Sequence, residues 1–113
     1  MAFSRAPMDD PRFRKADYTK ACHVASFWGI TLNRYGYYPC SVSGGIDRVF
    51  GFDRGRKSLP PPDDLMLKDC EAFCRWCGNF IRFNRVKEPE DMSASWRRAY
   101  HAYAASRPVL TFY

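Results

Sequence analysis

Five cysteines, Cys22, Cys40, Cys70, Cys74 and Cys77, are the residues whose type and spacing point to chemistry. A thiolate is a soft ligand that suits zinc and iron–sulfur clusters. The cysteine count is odd, and the N-terminal run MAFSRAPMDDPRFRK is polar and charged, without the apolar stretch of a secretion signal. Both features argue against a disulfide framework and for thiols in a reducing compartment, so a cytoplasmic location is expected.

Two arrangements of these cysteines compete. The first takes Cys70, Cys74 and Cys77 as one unit. Cys-x3-Cys-x2-Cys is the spacing with which radical S-adenosylmethionine enzymes hold three irons of a [4Fe–4S] cluster, leaving the fourth iron for the cofactor. A barrel able to embrace that cofactor needs at least about 200 residues, whereas 36 residues follow Cys77. The second arrangement takes four metal ligands from two places: Cys22 and Cys40, flanking a hairpin, and Cys74 and Cys77 in a Cys-x2-Cys knuckle with Gly78 behind it. Four thiolates complete either a [4Fe–4S] cluster or a tetrahedral zinc site. Cys70, one helical turn before Cys74, then reads as a small buried spectator. His23, next to Cys22, is an alternative ligand, though adjacent side chains point apart. His101 lies far from every cysteine in sequence and reads as a surface histidine.

The elements that must position these residues suggest an α+β domain, with a β-hairpin and about two to three helices around the cysteine site. Gly29–Asn33 alternates and is β-branched, Arg34-Tyr35-Gly36 reads as a turn, and Tyr37–Cys40 returns as a short strand that Pro39 keeps at an edge. Residues 41–62, rich in glycine and proline, read as an ordered loop with one short helical turn. Asp63 or Asp64 caps a helix running to about Gly78. A polar break follows over Val86–Met92. Ser93 caps a last helix over Ala94–Ser106, with Trp96, Tyr100 and Tyr103 on one packing face. Val109–Tyr113 is a short apolar tail. Residues 1–20 read as a polar leading arm and residues 21–113 as the cysteine-bearing domain.

Here a family resemblance enters. The run GITLNRYGYYPC resembles the hairpin that opens a SPASM-type domain, the auxiliary cluster-binding extension of many radical S-adenosylmethionine proteins. The longer run YGYYPCSVSGGIDRVFGFDRGRKSLP, followed by FCRWCGNF, is similar to the C-terminal region of one group of bacterial radical S-adenosylmethionine proteins. The resemblance covers about residues 18–113. It implies one auxiliary [4Fe–4S] cluster and, as partner, a radical S-adenosylmethionine catalytic domain or a redox protein. No separate Cys-x3-Cys-x2-Cys lies upstream, so the chain is expected to be a detached or truncated module without the catalytic barrel. Phe27, Trp28, Phe73 and Trp76 are expected to shield the cluster.

The rest of the sequence excludes more than it suggests. No run of about 18 apolar residues exists to span a membrane. No G-x-S-x-G or P-loop is present, and Ser41 and Ser43 beside Gly44-Gly45 form neither. The net charge of +6 is spread among interspersed acids and bases, which reads as solubility. Its sharper reading is a zinc-stapled module that binds nucleic acid or protein. Asp47, Arg48, Asp53, Arg54 and Arg56 read as loop charges that pair with one another.

Overall fold

The computed structural model describes residues 4–20, 22, 29–83 and 92–106. Strands β1 (Thr31–Asn33) and β2 (Gly36–Tyr38) pair antiparallel, with Thr31 opposite Tyr38 and Asn33 opposite Gly36. Among the described residues four helices follow: α1 (Ser41–Phe50), α2 (Leu67–Cys74), α3 (Gly78–Phe83) and α4 (Ala94–Ala105). The class is α+β, as expected.

The hairpin closes through local chemistry. Asn33 Oδ1 accepts the Tyr35 N–H at 2.8 Å, a side-chain turn that asparagine is suited to make. Gly36 has φ +135°, and a Cβ there would stand 2.6 Å from the Arg56 carbonyl oxygen. That carbonyl is close because Tyr37 and Arg56 exchange backbone hydrogen bonds of 2.8 and 3.1 Å, which lays the 55–57 segment along β2. β2 ends at Tyr38, just before Pro39, whose missing N–H cannot extend the ladder.

The segment expected to be a loop with one helical turn is instead the ten-residue helix α1. Val42, Ile46, Val49 and Phe50 fall at i, i+4, i+7 and i+8, one apolar face that the Gly44-Gly45 pair obscured. Gly44 faces the hairpin: a Cβ there would lie 2.8 Å from Asn33 Nδ2, with the Tyr38 ring at an ordinary contact distance of 3.5 Å. Gly51, at φ 73°, ends the helix in a left-handed cap and returns its N–H to the Asp47 carbonyl at 2.9 Å.

The helix expected from Asp63 or Asp64 to about Gly78 is shorter, Leu67–Cys74. Met66 takes a left-handed conformation, φ 53°, so the helix starts only at Leu67. Asp64 serves the turn before it by accepting the Met66 N–H at 2.8 Å. α2 ends at Cys74, and α3 begins at Gly78. The last helix occupies Ala94–Ala105, close to the expected span.

Residues 4–20, expected as a polar arm, lie against the body through two 3-10 turns, Pro7–Asp9 and Tyr18–Lys20. Ser4 and Ala6 bond to Ser93, and the Met8 N–H reaches the Arg75 carbonyl at 3.1 Å. Phe13 and Tyr18 pack with Phe80 and Ile81 in one apolar cluster. The main core gathers Ala6, Tyr38, Ile46, Phe73, Cys77 and Trp96, with Phe50 edge-on to Trp96 at 4.9 Å. Trp96 is thus core, while Tyr100 and Tyr103 are half-buried beside it. The polar break over 86–91 and the tail over 109–113 lie outside the described residues.

Candidate metal centre

All five cysteines are thiols, and all five line one small cavity. Its walls otherwise come from Pro39, Val42, Ile46, Phe73 and Phe80, with Ser43 and Asn79 as the polar neighbours. No histidine or carboxylate lines it among the described residues. The cavity holds about 20 Å3, room for about one water molecule. Four stretches of chain converge here. Cys22 follows the Tyr18–Lys20 turn, Cys40 follows β2, Cys70 and Cys74 lie on α2, and Cys77 lies between α2 and α3.

Cys40 is held by the start of α1. It occupies the N-cap in an extended conformation, and its sulfur faces the Ser43 backbone N–H. Ser43 Oγ accepts the Cys40 N–H at 3.3 Å and donates to the Cys40 carbonyl at 2.7 Å. The Cys40 thiol lies 3.6 Å from the same hydroxyl. Ser43 is buried, and it fixes the cysteine rather than acting as a nucleophile.

Cys77 precedes Gly78 at the start of α3, and its sulfur accepts the backbone N–H groups of Asn79 and Phe80. Burial pushes its thiol up to about 12, against the pull of those two amides, with the Cys40 and Cys22 sulfurs adding to the rise. Cys70 and Cys74 stand one turn apart on α2, where i and i+4 side chains are neighbours. Their thiols are hydrogen-bonded. The bond lowers Cys70 and raises Cys74. Burial raises Cys74 further, as do the sulfurs of Cys70, Cys77 and Cys40.

The structure therefore brings together Cys22, Cys40, Cys74 and Cys77, and it places Cys70, expected to be a spectator, beside them. The signal for Cys70 was in the sequence: Cys70 and Cys74 share a helix face. The roles of Ser43 and of the Asn79 and Phe80 amides were not legible, because they depend on helix starts at Ser41 and Gly78. Among the described residues, no three histidine, cysteine or acidic side chains are grouped to hold a metal ion as they stand. The sulfurs border the cavity without closing on one point. Cys70 also borders a second, open cleft of about 340 Å3 with Pro39, Leu65, Met66 and Leu67.

Of the other residues singled out, His23, Phe27 and Trp28 lie outside the described residues. His101 is exposed on α4. Phe73 is buried on the cavity wall. Trp76 lies 5.4 Å from Phe50 in the core instead. Of the loop charges, Arg56 bridges Asp64 and Asp69 outside the set expected to pair, Asp53 meets Lys57 at 3.4 Å, and buried Asp47 accepts the Arg54 backbone N–H. Arg48 lies over the Tyr35 ring and bonds Tyr103 at 2.8 Å. No described helix is long and apolar enough to cross a membrane. No protein-family model matches the chain, and no curated protein or solved structure matches it either.

Proposed function

We propose that this chain is a cysteine-ligated iron–sulfur domain that holds one auxiliary [4Fe–4S] cluster beside a radical S-adenosylmethionine catalytic domain. One observation carries the metal-binding part: five thiols from four stretches of chain border a single apolar-walled cavity. Buried cysteines are ordinarily dispersed, inert core residues, and five of them meeting by chance in a chain of this size is a poor alternative. The catalytic partner rests on the resemblance of the YYPC and CRWCG runs alone.

The donor set fits a cluster better than a single zinc ion. With Zn–S near 2.3 Å, four sulfurs around one zinc stand about 4 Å from one another. No described trio is gathered in that way. A cube of iron and sulfide accepts sulfurs spread over a wider space.

When bound, the cluster would supply one-electron transfer. The residues of this chain hold and shield it. Cys22, Cys40, Cys74 and Cys77 are the ligands, the Ser43, Asn79 and Phe80 amides orient sulfurs, and Ile46, Phe73 and Phe80 exclude water. A thiolate site of this kind belongs in a reducing cytoplasm.

The test is anaerobic reconstitution with iron and sulfide, followed by metal analysis and visible and electron paramagnetic resonance spectra. Uptake of about four irons with broad absorption is expected. Colourless protein that takes one zinc in preference to iron overturns the reading in favour of a zinc-stapled module. A second arm adds S-adenosylmethionine and a strong reductant. The chain alone should form no 5′-deoxyadenosine, and catalytic formation of it would reassign Cys70, Cys74 and Cys77 to a cofactor-binding cluster.

A further inference from the structure

The hairpin has one covered edge and one open edge. On the covered side, the Tyr37 N–H and C=O both bond to Arg56. Opposite residues in an antiparallel pair alternate between bonding each other and pointing their backbone groups outward. Tyr37 stands opposite Leu32, so the Leu32 N–H and C=O also point outward, away from β2. Among the described residues neither group has a partner. The Leu32 residue is 61% exposed, and Ile30, on the same face of the strand, is exposed as well. Ile30 also borders the open cleft of about 340 Å3, beside exposed Leu65 and Leu67.

We infer that β1 pairs antiparallel with β1 of a second copy of this chain, across a two-fold axis at Leu32, to give a four-stranded sheet. The edge is self-complementary. Leu32 presents one donor and one acceptor, and a two-fold axis there satisfies both with the same groups of its copy. The strip Gly29–Asn33 carries no charged residue, so two chains of net charge +6 meet there without a like-charge pair. It also has no lysine, proline or bulge of the kind that ordinarily blunts an exposed edge. In this register Ile30 faces the partner's Arg34, and the cleft that Ile30 borders is lined by the Asp64 carboxylate. Arg34 is exposed and pairs with no carboxylate of its own chain among the described residues. The two Arg34 side chains themselves stand about 14 Å apart along the strands, beyond the screening length of about 8 Å in physiological salt.

The contact is short, so the dimer forms and dissociates with concentration. The experiment is sedimentation equilibrium of the full chain under reducing conditions, which exclude disulfide-linked copies. The mass should rise with concentration from 13.2 kDa toward twice that value. Leu32→Lys sets two ammonium groups side by side at the axis and should stay monomeric. Leu59→Lys, at an exposed leucine outside β1 and outside the cleft, should dimerise like wild type. Far-UV circular dichroism checks that both variants fold. Amide hydrogen exchange reads the register in the unsubstituted chain: the Leu32 N–H should become protected as the dimer forms.

A chain that stays monomeric at every concentration overturns the inference. So does a Leu32→Lys variant that still dimerises, or loss of the dimer in both variants. A dimer whose Leu32 amide exchanges as fast as in the monomer overturns it too, and that measurement decides the matter if Leu32→Lys does not fold.

Discussion

The Tyr38 hydroxyl donates to the Asp47 carboxylate at 2.6 Å, and both side chains are almost wholly buried. The same carboxylate accepts the Arg54 N–H at 3.0 Å, so one acid ties the hairpin, α1 and the loop after it. The contact lies just behind the cavity, because Cys40 is two residues beyond Tyr38 and starts the helix that carries Asp47. A hydrogen bond to a charged acceptor is worth about 2 kcal/mol. Tyr38→Phe should lower stability by about that amount in urea denaturation. Asp47→Ala should cost more, since it orphans two donors. A Tyr38→Phe midpoint equal to wild type would show that the bond contributes nothing.

Two glycines in one stretch of sequence should respond in opposite directions. A Cβ on Gly55 would stand 2.4 Å from the Tyr35 carbonyl oxygen and 2.7 Å from the Tyr38 hydroxyl. The first obstacle is backbone and cannot swing away, so Gly55→Ala should destabilise by about 1–3 kcal/mol. Gly45 lies inside α1 with nothing within 4 Å of an added Cβ. Gly45→Ala should stabilise by up to about 1 kcal/mol, because alanine favours helix and restricts the unfolded chain. Thermal melts of the two variants would show the opposite shifts.

Stability should fall in acid through Asp9. Burial alone would raise its carboxyl, but hydrogen bonds from Ser95 and Ser93 and the charge of Arg98 outweigh that and hold it below the ordinary carboxylate value. The carboxylate accepts the Ser95 N–H at 2.9 Å, and thereby caps α4 from the far end of the chain. Ser93, at the N-cap position, spends its hydroxyl on the Ala6 N–H at 2.8 Å. A depressed folded value means the stabilisation is complete above the unfolded value and is lost as pH falls through the folded one. Asp9→Ala should cost about 1 kcal/mol at neutral pH. Asp9→Asn should keep most of the cap yet flatten the acid limb of the urea midpoint plotted against pH. An unchanged acid limb in Asp9→Asn would assign the loss to other carboxylates.

Metal should stabilise the fold. Structural thiolate sites contribute apparent binding free energies on the order of 10 kcal/mol, and a small domain has a modest core of its own. Reconstituted protein should melt higher than metal-free protein, and a chelator should reverse the gain. Cys40→Ser and Cys77→Ser should abolish the increment, with Cys77→Ser also weakening the metal-free form because Cys77 belongs to the main core. Differential scanning calorimetry of loaded and stripped protein measures both effects.

Parts of the fold were open to a reading of local pattern. The hairpin could be read from Thr31–Tyr38 because Asn33 and Gly36 carry the turn chemistry themselves. The last helix could be read from Ser93 and the spacing of Trp96 and Tyr100. α1 escaped notice because Gly44-Gly45 reads as a breaker when helix propensity is summed locally. Packing of α1 against the hairpin overrides that cost, with Gly44 standing where a Cβ would lie 2.8 Å from Asn33 Nδ2. The break between α2 and α3 escaped for a related reason. It depends on turn hydrogen bonds from the Trp76 and Cys77 N–H groups to the Phe73 and Cys74 carbonyls, which no residue type announces.

The candidate site divides along the same line. The amino-acid sequence by itself determined the ligand chemistry: five thiols, two of them in a Cys-x2-Cys knuckle and two one helical turn apart. Side-chain type and short-range spacing are local properties, and helix geometry converts the second into proximity. Only the tertiary structure decided that Cys22 and Cys40 meet α2, and that Cys70 stands in the cavity rather than in a separate part of the core. Those contacts span from 30 to 52 residues of chain. They exist because Ile46 and Phe73 bury their apolar surface in the main core and Phe80 packs with Phe13 and Tyr18 in the cluster beside it, and that collapse carries the sulfurs to one place.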